Sequence, residues 1–176
     1  LDALLVVLFL ILIIPEVLRK KVKVVLTPAQ GPSPIQLLEV RNSGTPSSLG
    51  AECTLLDRRN DPNMLHRSTF RMEWQGPYKR SVKLRRGGSY NLAVAEAGDE
   101  VTRNHTMQWM KICGLSDKDE REPKETSKWN RGDTLPEYDL KIRIIGENQK
   151  PHVQCFTVRA GKSAALEMFA IPCPKT

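Results

Sequence analysis

The chain has 176 residues, of which 27% are charged and 40% are hydrophobic. This composition fits one folded domain with an appendage and excludes general disorder, because disordered chains contain too little apolar surface to bury. The net charge of +7 predicts attraction to anionic surfaces, whether lipid headgroups or nucleic acid.

The first feature along the chain is an uninterrupted apolar run at residues 3–14, followed by the cations Arg19, Lys20, Lys21 and Lys23. The run is shorter than the roughly 20 residues that cross a bilayer. Because the sequence does not begin with Met, we interpret residues 1–20 as the end of a truncated transmembrane helix. A signal peptide is disfavoured because the charges follow the run and no small-residue cleavage site does. A buried core helix is the other alternative.

The basic flank predicts both a contact and an orientation. Each cation near an anionic bilayer gains about 1 kcal/mol, so these residues are expected to touch lipid headgroups. Cations beside a short apolar span stay on the cytoplasmic side of a membrane. The chain is therefore expected to be single-pass, or to carry the last helix of a multi-pass protein, with its soluble part at residues 21–176 in the cytoplasm.

Beyond the flank, short β-prone runs alternate with turn-forming residues. In the clearest run, residues 69–74, Phe70, Met72 and Trp74 alternate with charged residues, as in a strand with one buried face. Similar runs are expected at residues 22–27, 35–40, 51–56, 81–85, 90–95, 138–145, 153–159 and 164–171. Such a series of short strands, without a long amphipathic helix, predicts an all-β, immunoglobulin-like antiparallel sandwich.

Between residues 98 and 136 the alternation weakens, and the sequence predicts a long polar insertion. Residues 107–112 form either a short strand or a short helix in this interpretation. Trp129 stands among polar neighbours in the insertion. Its large ring is either a packing anchor or a contact for a protein partner, since tryptophan is enriched at the energetic centres of interfaces.

One part of the sequence resembles a known family. Residues 38–44, Leu-Glu-Val-Arg-Asn-Ser-Gly, and residues 51–55, Ala-Glu-Cys-Thr-Leu, resemble the strand, Asn-x-Gly turn and strand of bacterial immunoglobulin-like domains of the CARDB kind. Residues 70–74, the turn at 86–88 and residues 90–94 are similar to later strands of those domains. The resemblance covers about half of the soluble part and implies an adhesion or accessory module.

The four cysteines are far apart, and none belongs to a C-x-x-C pair. This spacing argues against a zinc site, because structural zinc sites bring thiolates in close pairs. Cys53 and Cys155 lie in strand-like runs, where a free cysteine behaves as a small buried hydrophobe. Reduced thiols in the core are therefore the favoured interpretation, with at least one disulfide as the alternative.

The densest charge lies in a run without any acidic residue, formed by Lys79, Arg80, Lys83, Arg85 and Arg86. These cations fit either the binding of phosphates or a solvated edge strand, where they would discourage aggregation. We favour the edge strand. Nucleic acid is disfavoured as a partner, because only Tyr78 lies nearby to stack on bases.

No pattern in the sequence places a nucleophile beside a base or forms a phosphate-binding loop, so no enzymatic activity, cofactor or metal is predicted. We therefore expect a membrane-anchored, non-catalytic β-sandwich that acts in protein–protein interaction with an unidentified partner. The alternative is a sensor or effector domain that binds an anionic ligand, such as a nucleotide or a lipid headgroup, through the cationic strand.

Overall fold

A computed structural model describes residues 21–30, 35–59, 68–76, 80–101, 106–130, 132–161 and 165–174. Twelve strands lie in these residues and form two six-stranded sheets, so the expected all-β sandwich is confirmed. The predicted membrane helix at residues 1–20 falls outside the described residues. Within the ranges given above, no helix is long and apolar enough to span a bilayer.

The strands, in chain order, are β1 (Val24–Gln30), β2 (Ile35–Asn42), β3 (Ser47–Arg59), β4 (Thr69–Arg71), β5 (Glu73–Trp74), β6 (Ser81–Leu84), β7 (Ser89–Val101), β8 (Thr106–Leu115), β9 (Arg121–Trp129), β10 (Glu137–Gly146), β11 (His152–Ala160) and β12 (Leu166–Ile171). One sheet has the order β1-β2-β7-β8-β9, with β5 paired to β7. The other has the order β12-β11-β10-β3-β4, with β6 paired to β3. All of these strand pairs are antiparallel.

Alternating side chains fill the space between the two sheets. Along β10, Tyr138, Leu140, Ile142 and Ile144 are buried, while the residues between them are half-buried, because successive side chains of a strand point to opposite faces. The hydroxyl groups of Ser127 on β9 and Tyr138 share a hydrogen bond of 2.6 Å. This bond joins the two sheets through the core.

The run at residues 69–74 is divided between the two sheets, where a single strand was expected. β4 pairs with β3 in one sheet and β5 pairs with β7 in the other. Phe70, Met72 and Trp74 are nevertheless all buried, as the alternation predicted. The chain crosses between the sheets at Met72, and the sequence pattern does not reveal this crossing because both sheets face the same core.

Residues 98–136, predicted as a polar insertion, instead contain the end of β7 and the whole of β8 and β9. The pattern is weak there because β9 is the outer strand of its sheet and carries charged residues that protect its edge. Trp129, the candidate partner contact, is only 3% exposed and belongs to the core. Its side chain is therefore a packing anchor in this fold and not an exposed contact.

Candidate functional site

The nine predicted anion contacts are partly described. Arg19, Lys20 and Lys79 lie outside the described residues. The other six residues form three groups. One residue pairs with a carboxylate, two form no ion pair with a described residue, and three line a pocket.

Arg80 is the residue that pairs with a carboxylate. Its guanidinium forms an ion pair with Asp119, which lies in the turn between β8 and β9. Arg71 approaches the same carboxylate, with 3.5 Å between its Nη1 and Asp119 Oδ1. A distant turn thus supplies the acidic residue that the local sequence around Arg80 lacks, and Asp119 offsets part of the charge of Arg80.

Lys83 and Arg85 are the free cations. Both are exposed, whereas Val82 and Leu84 beside them are buried, which confirms the alternation predicted for this strand. In the part of the chain that the structure describes, neither Lys83 nor Arg85 forms an ion pair. Lys83 lies on β6, a short strand at the margin of its sheet, and Arg85 directly follows that strand, so their placement fits the edge-protection role.

The remaining three cations, Lys21, Lys23 and Arg86, line one pocket at an end of the sandwich, which we call the basic pocket. Its cavity volume is about 620 Å³. The lining also includes the polar side chains of Thr45 and Gln149, and none of its described residues is acidic. The structure therefore unites two groups of cations that are about 60 positions apart in the sequence.

Asn42 builds the wall of the basic pocket and is only 2% exposed. Its side-chain amide donates to the carbonyl oxygens of Thr45 (2.9 Å) and Leu84 (3.1 Å). Its side-chain oxygen accepts from the backbone N–H of Gly44 (2.9 Å). One buried side chain thus ties the turn after β2 to the end of β6, the strand that precedes Arg86.

The backbone around the lysines is fixed to the same turn. The carbonyl oxygen of Lys23 accepts hydrogen bonds from the backbone N–H of Ser43 (2.9 Å) and Gly44 (3.1 Å). The Ser43 hydroxyl donates to the same oxygen at 3.0 Å. On the other side, Val22 N donates to Lys150 O at 2.9 Å, which brings a further lysine beside Lys21.

The arginines whose side chains the structure describes divide by location. Five have carboxylate partners, namely Arg71, Arg80, Arg121, Arg143 and Arg159. Three lack an ion pair with any described residue: Arg41, Arg85 and Arg86. Arg41 and Arg86 line a second depression of about 420 Å³ that shares Asn42 and Ser43 with the basic pocket. Two of these three guanidinium groups, those of Arg41 and Arg86, therefore lie at the same end of the molecule.

The sequence predicted the turn at residues 42–46 but not its part in a pocket. The available signal was the Asn-Ser-Gly sequence, because Asn side chains readily bond the backbone two residues further on. Gln149 gave no such signal, since it enters the site from the distant turn between β10 and β11. Among the described residues, no group of three or more His, Cys, Asp or Glu is placed to hold a metal ion.

The favoured interpretation of the cysteines is wrong for one pair. Cys155 and Cys173 form a disulfide, with 5.1 Å between their Cα atoms. Cys53 and Cys113 are free and buried, as was expected of Cys53. Burial raises the pKa of the Cys113 thiol to about 11, although Arg121 donates a hydrogen bond to its sulfur. A neutral, buried thiol of this kind is a poor nucleophile.

Comparisons with protein families, with curated proteins and with solved structures found nothing that matches this chain. The basic pocket is therefore interpreted from its own geometry. Its three cations suit the binding of an anion.

Proposed function

We propose that this protein is a membrane-proximal, non-catalytic β-sandwich module that holds its basic pocket against an anionic lipid surface. The observation that carries the proposal is the convergence of Lys21, Lys23 and Arg86 on one pocket without an acidic residue in its lining. In this proposal residues 1–20 form the membrane anchor, and the sandwich belongs with immunoglobulin-like accessory modules.

The position of the pocket supports the proposal. Lys21 and Lys23 directly follow the proposed anchor, so they lie at the level of the lipid headgroups if that segment enters the bilayer. Each cation there gains about 1 kcal/mol from an anionic leaflet, and the gain falls with distance over a Debye length of about 8–10 Å. Arg86 adds to this attraction because the fold brings it to the same end.

The proposal can be tested with the full chain reconstituted in vesicles. Energy transfer from its three tryptophans to a dansyl-labelled lipid headgroup measures how closely the domain approaches the bilayer. We expect greater transfer in vesicles that contain phosphatidylglycerol than in pure phosphatidylcholine, because the anchor inserts in both but only the former attracts the domain. Added salt should reverse the difference.

Two double variants distinguish the effect of the pocket cations on docking from the effect of net charge. Lys23→Gln/Arg86→Gln should lower the docking equilibrium by roughly 30-fold, since each cation contributes about 1 kcal/mol. Lys118→Gln/Lys128→Gln removes the same charge near β9, at the opposite edge of the sheet from β1, and should change docking little. Equal losses in the two variants, or no preference for anionic vesicles, would refute the proposal.

A second candidate function, strand-mediated binding of a protein partner, is favoured by the edge strand β12. The hydrogen bond from Gly161 N to Ala165 O marks these residues as a hydrogen-bonded pair of the β11–β12 ladder. Every second residue of β12 from Ala165 onward therefore faces β11 with its backbone polar groups. By that alternation, Leu166, Met168 and Ala170 direct their backbone N–H and C=O groups away from β11. β12 contains no proline, and Phe169 on it is 40% exposed. An extended segment of a partner could add to this edge.

Photo-cross-linking in cells tests this second candidate. A cross-linker at Phe169 should yield a discrete adduct, and Ala170→Pro should abolish it because proline removes an outward-facing donor. A cross-linker at Val153, which is 41% exposed on β11, serves as the control position. The same adducts from both positions would count against strand addition.

A further inference from the structure

We infer that the basic pocket is a discrete binding site for one phosphomonoester group, carried by a lipid headgroup or by a small soluble molecule. The inference rests on the proposed function and narrows it. A surface that attracts by charge alone accepts any anionic lipid, whereas a discrete site discriminates by the chemistry of the phosphate.

The shape of the pocket is the first support. Its volume of about 620 Å³ lies within the roughly 300–1,000 Å³ of sites that bind small molecules. Lys21, Lys23 and Arg86 provide the charge, while Pro46 and Leu49 provide apolar lining. When the cations hold the phosphate of a ligand, the organic part of that ligand can therefore contact apolar side chains. A flat basic surface offers no such contact.

The charge at the pocket is the second support. Five of the eight arginines whose side chains the structure describes have carboxylate partners, whereas Arg86, which lines the basic pocket, forms no ion pair with any described residue. A phosphomonoester brings about −1.5 to −2 charges and three acceptor oxygens at neutral pH. Its oxygens can therefore accept hydrogen bonds from an arginine guanidinium and from lysine ammonium groups at the same time. A phosphodiester has one charge and offers only two free oxygens, so it matches the same donors less well.

The rigidity of the pocket is the third support. The Lys23 carbonyl oxygen is held by three hydrogen bonds from Ser43 and Gly44. The turn that carries Arg86 is fixed because Gly87 N donates to Asn42 O at 2.6 Å and Asn42 N donates to Gly88 O at 2.9 Å. The backbones that carry the cations are therefore ordered before a ligand arrives, which lowers the entropy cost of binding.

The test compares two lipids with the full chain in phosphatidylcholine vesicles. One set contains phosphatidic acid, a phosphomonoester, and the other contains phosphatidylglycerol, a phosphodiester, with the fractions adjusted to equal zeta potential. Tryptophan-to-dansyl energy transfer measures docking. We expect the ratio of docked to free domain to be about tenfold higher on phosphatidic acid, because the charge-assisted hydrogen bonds to the monoester are more numerous.

Two single variants identify the site. Arg86→Gln should abolish the preference for phosphatidic acid. Arg85→Gln removes the same charge one residue earlier, at a position that does not line the pocket, and should keep the preference. Urea midpoints of both variants verify that each remains folded.

Equal docking on the two lipids, or equal behaviour of Arg86→Gln and Arg85→Gln, overturns the inference and leaves the proposed function standing. If neither anionic lipid promotes docking above phosphatidylcholine alone, the proposed function fails, and the inference fails with it.

A second experiment determines whether the phosphomonoester belongs to a lipid headgroup or to a soluble molecule. Glycerol 3-phosphate is titrated against the full chain in pure phosphatidylcholine vesicles, and displacement of a bound fluorescent phosphomonoester is followed in the wild type and in Arg86→Gln. Displacement that requires Arg86 identifies a soluble phosphomonoester as a ligand. Discrimination seen only with phosphatidic acid identifies the lipid headgroup. If the chain responds to neither compound, the pocket is not a phosphomonoester site.

Discussion

Loss of the Cys155–Cys173 disulfide is expected to destabilise the sandwich by about 3 kcal/mol. The two cysteines are 18 positions apart. Closing a loop of this size removes entropy from the unfolded chain equivalent to about 3 kcal/mol at 25 °C. The bond also fastens the end of β12 to β11, and β12 is an edge strand that pairs only with β11 in the described part of the sheet. The folded state therefore has few other contacts to hold this strand.

The measurement is urea unfolding of the full chain in neutral detergent, with and without a reductant. With denaturant slopes of about 1–3 kcal/mol per molar urea, a loss of 3 kcal/mol lowers the midpoint by about 1–3 M. The control is Cys173→Ser, which lacks the bond from the start. Its midpoint should match that of the reduced wild type and should not respond to the reductant.

Two results would refute the reasoning. One is a midpoint that reduction shifts by less than about 0.3 M, which would show that the cross-link contributes little. The other is an equal response of Cys173→Ser to the reductant. The shift would then arise from something other than this disulfide.

The remaining predictions concern the compartment, the pocket wall, a close packing contact and the buried thiol. Because disulfides persist in oxidising compartments, alkylation of unfolded protein taken directly from cells should find two free thiols. Four free thiols would support the cytoplasmic placement predicted from the basic flank. Asn42→Ala should cost about 1–3 kcal/mol in unfolding free energy and weaken docking, because it leaves buried backbone groups unpaired; unchanged stability would contradict the role given to Asn42. Gly98→Ala should cost about 1–3 kcal/mol, because its Cβ would lie 2.6 Å from the Trp109 ring. Gly50→Ala, whose Cβ would meet nothing closer than 3.7 Å, is the matched control, and equal urea midpoints for the two would rule out the clash. Since burial raises the pKa of Cys113 from 9.0 to about 11, the unfolded thiol ionises first as pH rises. The neutral Cys113 thiol therefore stabilises the folded state fully below pH 9, and this stabilisation is lost as the pH rises towards 11. Urea midpoints of wild type and Cys113→Ala at pH 8 and 10.5 should reveal about 2 kcal/mol of extra pH dependence in the wild type, and parallel pH profiles would contradict the assignment.

Outside residues 98–136, the sequence alone predicted where most strands lie and which of their side chains point inward. The alternation of Phe70, Met72 and Trp74 predicted their burial, and that of Val82 and Leu84 did the same for β6. Both results follow from local geometry, because successive side chains of a strand point to opposite faces regardless of the strand's partners. The sequence was less informative at β9, where charges along an exposed edge conceal the inward positions.

Only the tertiary structure decided which distant residues meet. It placed β4 and β5 in different sheets, paired Arg80 with Asp119, and joined Cys155 to Cys173. It also brought Arg86 beside the lysines at the start of β1. None of these contacts is encoded by the period of side chains along one strand. Each depends on how strands far apart in the chain are ordered and aligned, and that arrangement is chosen by the packing of the whole core.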